Sequence, residues 1–237
     1  MARRPVVTID GPAGAGKSTA SRALAAKLGF TYLDTGALYR AVALAAGDDP
    51  TLAARVDACA DPAQLAHEDG TRLAELARTL PLTFSANGTR LEIAGRDVTA
   101  AIRSPEISQR ASKISALPAV RTALLDVQRR IGAAGGVVAE GRDVGSVVFP
   151  DAEVKLFLTA DVQERARRRT AELRGRGLTA DEDQVRREIE SRDARDAERA
   201  AAPLVCPEGA LIVDSSTLTA EQVVAFMLDA VTMRERS

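Results

Sequence analysis

Residues 9–20 read IDGPAGAGKSTA, and within them Gly11–Ser18 fill the pattern GxxxxGK[ST]. This stretch constrains the fold most, because the pattern works in one setting only: a buried strand leads in and a helix leads out. Both flanks comply. Pro5–Ile9 is a short apolar, β-branched run of the kind a parallel strand buried on both faces needs. After the loop, Ala20, Ala23, Leu24 and Leu28 recur at helical spacing, and the pattern stops on Gly29. In that setting Gly11, Gly14 and Gly16 let the backbone turn its amides inward around a phosphate at a helix N-terminus. We read Gly11, Pro12, Ala13, Gly14, Ala15, Gly16, Lys17, Ser18 and Thr19 as the seat of a nucleoside triphosphate. Lys17 then reaches the β- and γ-oxygens, and the Ser18 hydroxyl ligates Mg²⁺.

The bulk numbers remove several function classes. With 237 residues, 46% of them hydrophobic, the chain can bury a large core. A formal net charge of -1 argues against a general nucleic-acid binder, and an aromatic content of 3% argues against a base-stacking platform. Cys59 and Cys206 show no pairing or metal spacing, and His67 is the one histidine, so neither a zinc site nor a Ser-His triad is available. No run approaches the about 18 apolar residues of a membrane span. The N-terminal apolar run ends at Asp10, too early for a signal peptide. The expectation is a soluble, cytoplasmic protein with reduced thiols, no nucleic-acid partner and no membrane.

Four later apolar runs repeat the first strand: Phe30–Leu33, Gly136–Ala139, Val154–Leu158 and Ala210–Val213, each beside helical patterns. Alternation of this kind predicts a parallel α/β sheet with ligands outside the strand C-termini. Asp161 with Glu164, and Thr219 with Gln222, have capping-box spacing, and Ser104-Pro105 reads as an N-cap followed by Pro at the first helical position. Between about 48 and 117 the alternation breaks. Residues 61–79 are helical in pattern, and Leu82–Ile93 is expected as an antiparallel pair with a two-residue turn at Asn87-Gly88. We expect an inserted subdomain here, and a mobile flap at 174–183 between two highly charged helices.

The glycine loop alone fits a GTPase, an ATPase motor or a small-molecule kinase. Guanine readers use Asn-Lys-x-Asp, and this chain's only asparagine is Asn87 in the turn. A kinase for an alcohol needs a base near the hydroxyl. A phosphate monoester is already anionic near neutral pH (second pKa about 6), so its kinase needs cations that hold two repelling phosphates in line. Arginine suits that task through its planar, bidentate guanidinium. Arginines follow the strand ends: Arg40 with Thr35 in LDTGALYR, Arg142 with Asp143 in AEGRDVG, and Arg192, Arg195 and Arg199 around Asp196 in SRDARDAER. For any one of these, a solvated helix face is the alternative. Together they favour phosphate-to-phosphate transfer.

These segments, with ASKISALPAVR and RDARDAERAAAPL, resemble the bacterial cytidylate kinases, the (d)CMP kinases of the nucleoside monophosphate kinase group, from about Val6 to the C-terminal helix. The GRD segment and the RD-x-RD-x-x-R helix are the diagnostic parts. The resemblance implies a P-loop kinase fold: a five-stranded parallel sheet flanked by helices, an inserted monophosphate-binding subdomain and a mobile lid. As a single kinase unit over 1–237, it implies a core of about 1–35, 118–160 and 200–237, an insert of about 36–117 and a lid of about 161–199. The implied activity is phosphoryl transfer from ATP, with Mg²⁺, to CMP and dCMP by a monomer.

It also implies site residues. Lys17, Arg142 and Arg199 serve catalysis. Thr35, Arg40, Arg142 and Arg199 hold the acceptor phosphate, and Tyr39 lines the pocket, although a core tyrosine is a fair alternative. Gly141 completes the segment. Ser112, Arg121 and Asp143 read cytosine: the N4 amino group calls for a carboxylate, and N3 and O2 call for a donor. Arg192 and Asp196 meet the sugar. The lid helix has Arg165, Arg167, Arg168, Arg169, Arg174 and Arg176 against Glu164 and Glu172, and Arg165 and Arg168 are the expected closers over the triphosphate. A kinase for UMP, AMP or an alcohol such as shikimate is the neighbouring alternative, and a regulatory nucleotide-binding module is the other.

Overall fold

A computed structural model describes residues 3–199 and 201–235. The outer ends of the expected core ranges, residues 1, 2, 200, 236 and 237, lie outside the described residues. The elements are β1 (Val6–Asp10), α1 (Lys17–Leu28), β2 (Thr31–Asp34), α2 (Thr35–Ala45), α3 (Pro50–Ala58), α4 (His67–Thr79), β3 (Leu82–Ser85), β4 (Arg90–Ile93), β5 (Arg96–Asp97), α5 (Pro105–Ile114), α6 (Pro118–Gly132), β6 (Val137–Gly141), β7 (Val154–Thr159), α7 (Val162–Gly175), α8 (Glu182–Glu198), β8 (Leu211–Asp214) and α9 (Ala220–Glu235). The parallel sheet has five strands in the order β2-β6-β1-β7-β8, and a second sheet runs β3-β4-β5.

The first compact unit holds residues 1–30 and 135–237. β1 lies between β6 and β7 and is buried along its whole length, which is why its sequence shows no polar alternation. Its register sets Asp10 opposite Gly141 on one side and Phe157 on the other. α1 packs on β6 and α9, where Val223, Val224, Met227 and Val231 are buried. α7 and α8 pair through Ala166, Val185 and Ile189, a narrow apolar seam between two charged surfaces. At α9, Thr219 N–H donates to Gln222 Oε1 at 2.9 Å and Gln222 N–H to Thr219 Oγ1 at 3.3 Å, the full reciprocal box. The Asp161–Glu164 spacing delivers only half of one: Asp161 accepts from Gln163 N–H at 2.8 Å, while Glu164 turns to Arg167 and Arg168.

The second compact unit holds residues 31–134. It is larger than the expected insert, because α6 closes its core: Val120 and Leu124 join Leu73, Ile107 and Ile114 in one buried cluster. A polar-rich sequence hides this cluster, since each helix contributes only one apolar stripe. Ser104 accepts from Ile107 N–H at 3.2 Å and Pro105 opens α5, as its dipeptide implies. Ser104→Ala is expected to cost about 1 kcal/mol, the usual worth of such a cap, read as a shift of the urea midpoint with unchanged slope.

The antiparallel pair has the anticipated register, Leu82 opposite Ile93 and Phe84 opposite Leu91. The turn agrees as well. The ladder's last pair is Ser85–Arg90, and at the tip Asn87 (φ 56°, ψ 33°) and Gly88 (φ 88°) both have the left-handed backbone of the expected two-residue turn. The tip is pressed against β2: a Cβ on Gly88 would lie 1.6 Å from the Tyr32 carbonyl oxygen.

Candidate active site

In the first unit, β1 ends at Asp10, the loop occupies residues 11–16, and α1 begins at Lys17 behind a left-handed Gly16 (φ 89°, ψ 7°). Lys17 Nζ donates to the Pro12 carbonyl at 2.6 Å. Burial pushes the Lys17 ammonium well below its ordinary pKa; Arg142 pushes the same way, and Glu140 opposes them. Ser18 and Thr19 are exposed just beyond it. Among the described residues no group of three His, Cys, Asp or Glu side chains could hold a metal alone. The donors present fit Mg²⁺ nonetheless, because that ion is usually held by substrate phosphates and water with few protein ligands. The exposed Ser18 hydroxyl at the helix N-terminus is a donor of the kind such an ion takes.

Arg165 on α7 reaches the same loop. Its Nη1 donates to Ala13 O at 3.0 Å, its Nε donates to Ala160 O at 2.9 Å, and it pairs with Asp193 of α8. Asp193 in turn accepts from the Ala13 amide at 3.1 Å, so a carboxylate occupies a loop donor that a phosphate oxygen could use. Arg168 donates to Ser215 Oγ at 3.0 Å and Ser215 O at 2.6 Å. It shares Glu164 with Arg167, each at 2.7 Å. Those arginines pull the Glu164 carboxyl down to about 2, Arg167 most strongly. A depressed carboxyl stabilises the fold above its ordinary pKa of 4.5 and loses that contribution as pH falls toward 2. Arg167 is exposed, so the worth is at most about 1 kcal/mol. The melting-temperature gap between the parent and Glu164→Gln should therefore narrow as pH falls below 4.5 and close as it passes through about 2.

A buried charge knot follows β6. Arg142 Nε donates to Asp196 Oδ2 at 2.8 Å. Arg199 lies 3.7 Å from Asp196 and 3.4 Å from Asp143, and Arg192 lies 4.0 Å from Asp196. Burial alone would raise the Asp196 pKa, but Arg142, Arg192 and Arg199 together hold it below the usual carboxylate value. Burial likewise works against the Arg142 charge, yet Asp196 keeps its pKa above normal. One carboxylate thus lets three guanidinium groups stand together despite their mutual repulsion. Arg192 and Asp196 share one face of α8, and Arg199 follows at once as its extended C-cap residue, which brings all three together. Gly141, Arg142, Asp143, Arg192, Asp196 and Arg199, named from the sequence, are brought together here.

In the second unit Asp34 ends β2, caps α2 by accepting from Ala37 N–H at 3.0 Å, and holds the Arg40 guanidinium at 2.5 Å. Thr35 and Tyr39 are buried on the same helix. The Arg121 guanidinium lies 5.4 Å from the centre of the Tyr39 ring and donates to Ser115 O at 3.0 Å. Tyr39 therefore supports an arginine as well as filling core. Ser115 Oγ donates to Ser112 O, and the Ser112 Oγ is buried with no hydrogen-bond partner in the structure. Such an atom costs free energy unless a ligand or water meets it.

The family model for cytidylate kinase matches residues 7–233. The chain belongs to the cytidylate kinase family. It is 46% identical over 233 residues to a cytidylate kinase of Pelotomaculum thermopropionicum, covering 98% of both chains. It is also 46% identical over 228 residues to that of Methylococcus capsulatus, covering 96% of each. A bifunctional pantoate ligase/cytidylate kinase of Synechococcus elongatus is 48% identical over 224 residues, covering 93% of this chain and 41% of that protein. The chain is accordingly a kinase with the P-loop α/β fold, and among its described residues no helix is long and apolar enough to cross a membrane.

Two carboxylates of this cytidylate kinase fold escaped the sequence reading. Asp193 precedes Asp196 by one helical turn and shares its face, a signal obscured by the surrounding charge. Asp10 ends an otherwise apolar strand, where a carboxylate must have a buried role. Glu140, on which Lys17 and Arg142 both depend electrostatically, is buried at the end of β6.

Proposed function

We propose that this kinase transfers the terminal phosphoryl group of ATP to CMP and dCMP, acting as a cytoplasmic monomer. The observation that carries the reading is the buried knot in which Asp196 assembles Arg142, Arg192 and Arg199 beside Asp143. Such a concentration of cation suits an acceptor that is itself a phosphate.

The glycine loop binds the triphosphate through its amides, and Lys17 takes up the β- and γ-oxygens. A bound polyanion favours the ammonium that burial disfavours. The Ser18 hydroxyl would hold Mg²⁺, which when bound would neutralise charge on the donor phosphates. Arg142 and Arg199 orient the acceptor phosphate and stabilise charge on the transferring group. Arg165 and Arg168 keep water from the donor, with Asp193 giving up the Ala13 amide as phosphate arrives.

On the second unit, Thr35, Arg40 and Tyr39 serve the acceptor phosphate and its pocket. Ser112 and Arg121 serve the pyrimidine N3 and O2 side, and the unpartnered Ser112 Oγ supports that assignment. On the first unit, Asp143 accepts from the cytosine amino group, and Arg192 and Asp196 meet the sugar. A carboxylate at the 3′-hydroxyl serves ribose and deoxyribose alike. Uracil sets an acceptor against Asp143, at a cost of about 1–3 kcal/mol.

ADP release is measured with Mg-ATP and CMP, dCMP, UMP or AMP offered singly. Strong turnover with CMP and dCMP, weak turnover with UMP and none with AMP is expected. Asp143→Ala should shrink the CMP-over-UMP preference by about tenfold or more. Equal turnover of CMP and UMP by the parent would sink the base-reading assignment.

A further inference from the structure

Asp10 is a fully buried carboxylate at the last position of β1, where the preceding four residues are the buried Val6, Val7, Thr8 and Ile9. A charge in that place is costly unless it is hydrogen-bonded. Its two oxygens are each taken by one backbone amide from 134 and 135 residues further on. Oδ1 accepts from Val144 N–H and Oδ2 from Gly145 N–H, both at 2.7 Å. Burial pushes the Asp10 carboxyl up to about 6, and the two amides pull against that shift. The joint is closely built. A Cβ on Gly145 would lie 2.7 Å from Thr8 Oγ1, 3.1 Å from Pro207 Cγ and 3.2 Å from Asp10 Oδ2.

The hydrogen bonds of Asp10 go to backbone amides, and they bracket two of the groups assigned to the acceptor. Gly141 is held opposite Asp10 by the strand register, and Val144 and Gly145 are held by the Asp10 side chain. Arg142 and Asp143 are the two residues in between. Asp143 has a non-helical backbone (φ −144°, ψ 24°) and begins the single π-type turn Val144–Val148. The Asp143 and Val144 carbonyls accept from amides later in the turn, whereas the Val144 and Gly145 amides at its start are taken by Asp10.

We propose that Asp10 is a positioning residue for the acceptor nucleotide: by clamping the Val144 and Gly145 amides it fixes where Arg142 and Asp143 present their side chains. The phosphate loop begins at the next residue, Gly11, so one side chain sets the acceptor-reading turn from the base of the donor loop. Small misplacements of an oriented group are expensive in an enzyme, and a group held at both ends suffers fewer of them. In Asp10→Asn one oxygen still accepts an amide, but the new NH₂ faces the other N–H, donor against donor, and that end of the turn is released.

The proposal rests on the cytidylate kinase reading for its selectivity readout. Asp10→Asn and Gly145→Ala, which loosen the same joint from opposite sides, are assayed with CMP and UMP at saturating ATP and with ATP at saturating CMP. Thermal unfolding checks that each variant is folded. Both variants are expected to raise KM for CMP by about tenfold and to lower the CMP-over-UMP preference, while KM for ATP stays within about twofold. Equal loss of kcat with both acceptors at unchanged KM overturns the proposal, as does a rise confined to KM for ATP. A lowered melting temperature with parental kinetics also overturns it, because Asp10 is then merely structural. Asp143→Ala separates the two ideas. If it leaves the CMP-over-UMP preference intact, the base reading fails, and KM for CMP remains the test of Asp10. If it abolishes that preference while Asp10→Asn keeps parental kinetics, the positioning role fails alone.

Discussion

Arg142→Met should lower kcat by about 10³-fold, within the range seen when a transition-state arginine is lost, and destabilise the protein as well. The two effects have different origins. Arg142 is the partner closest to Asp196 in the knot, at 2.8 Å; Asp196 is buried and Arg142 mostly so. Breaking a buried pair by removing one member costs about 3–5 kcal/mol, because the survivor is left charged without compensation. Here the loss should fall at or below the lower end, since Arg199 at 3.7 Å and Arg192 at 4.0 Å still face Asp196. Urea unfolding of the parent, Arg142→Met, Asp196→Asn and the double variant closes a cycle in which the double loses less than the sum of the singles. Arg142→Lys keeps the charge but not the planar fork. It should recover stability more fully than activity, which shows that catalysis needs the geometry and folding needs the charge.

Lys17→Met should lower kcat by about 10²–10³-fold, as expected for removing one donor to the developing charge, and leave the empty protein as stable as the parent or more so. The Lys17 ammonium is buried, has the Pro12 carbonyl as its hydrogen-bond acceptor, and is disfavoured by burial and by Arg142. A hydrophobic side chain of similar length removes that desolvation penalty. Kinetics at saturating CMP and thermal unfolding without nucleotide test the pair of outcomes. A variant that lost activity only through unfolding would contradict this account of the site.

Much of this was legible in the sequence, and the reasons are local. The glycine loop constrains its own neighbours, so β1 and α1 follow from it, and the four later apolar runs lie within two residues of β2, β6, β7 and β8. Ser104-Pro105 and Thr219–Gln222 carry their caps in adjacent residues. The arginine-rich segments that meet around Asp196 were visible for a related reason, since each lies in a short stretch of chain just after a strand or along one helix. Gaps arose where a residue's environment comes from distant chain. The Asn87-Gly88 dipeptide gave its turn but not the contact at its tip, where the Tyr32 carbonyl leaves no room for a Cβ on Gly88. Glu164 looked like the second half of a capping box, but two arginines outcompete a single backbone amide for its oxygens.

The sequence by itself determined the phosphate loop, the strand-helix alternation and the arginine-rich segments, because each is encoded by spacing within a few turns of chain. Only the tertiary structure decided which charges meet. That Asp196 answers Arg142 from 54 residues away, that Asp193 covers the Ala13 amide, and that Asp10 clamps Val144 and Gly145 are long-range pairings. A buried charge must find a partner somewhere in the fold, and nothing in its neighbouring sequence says where.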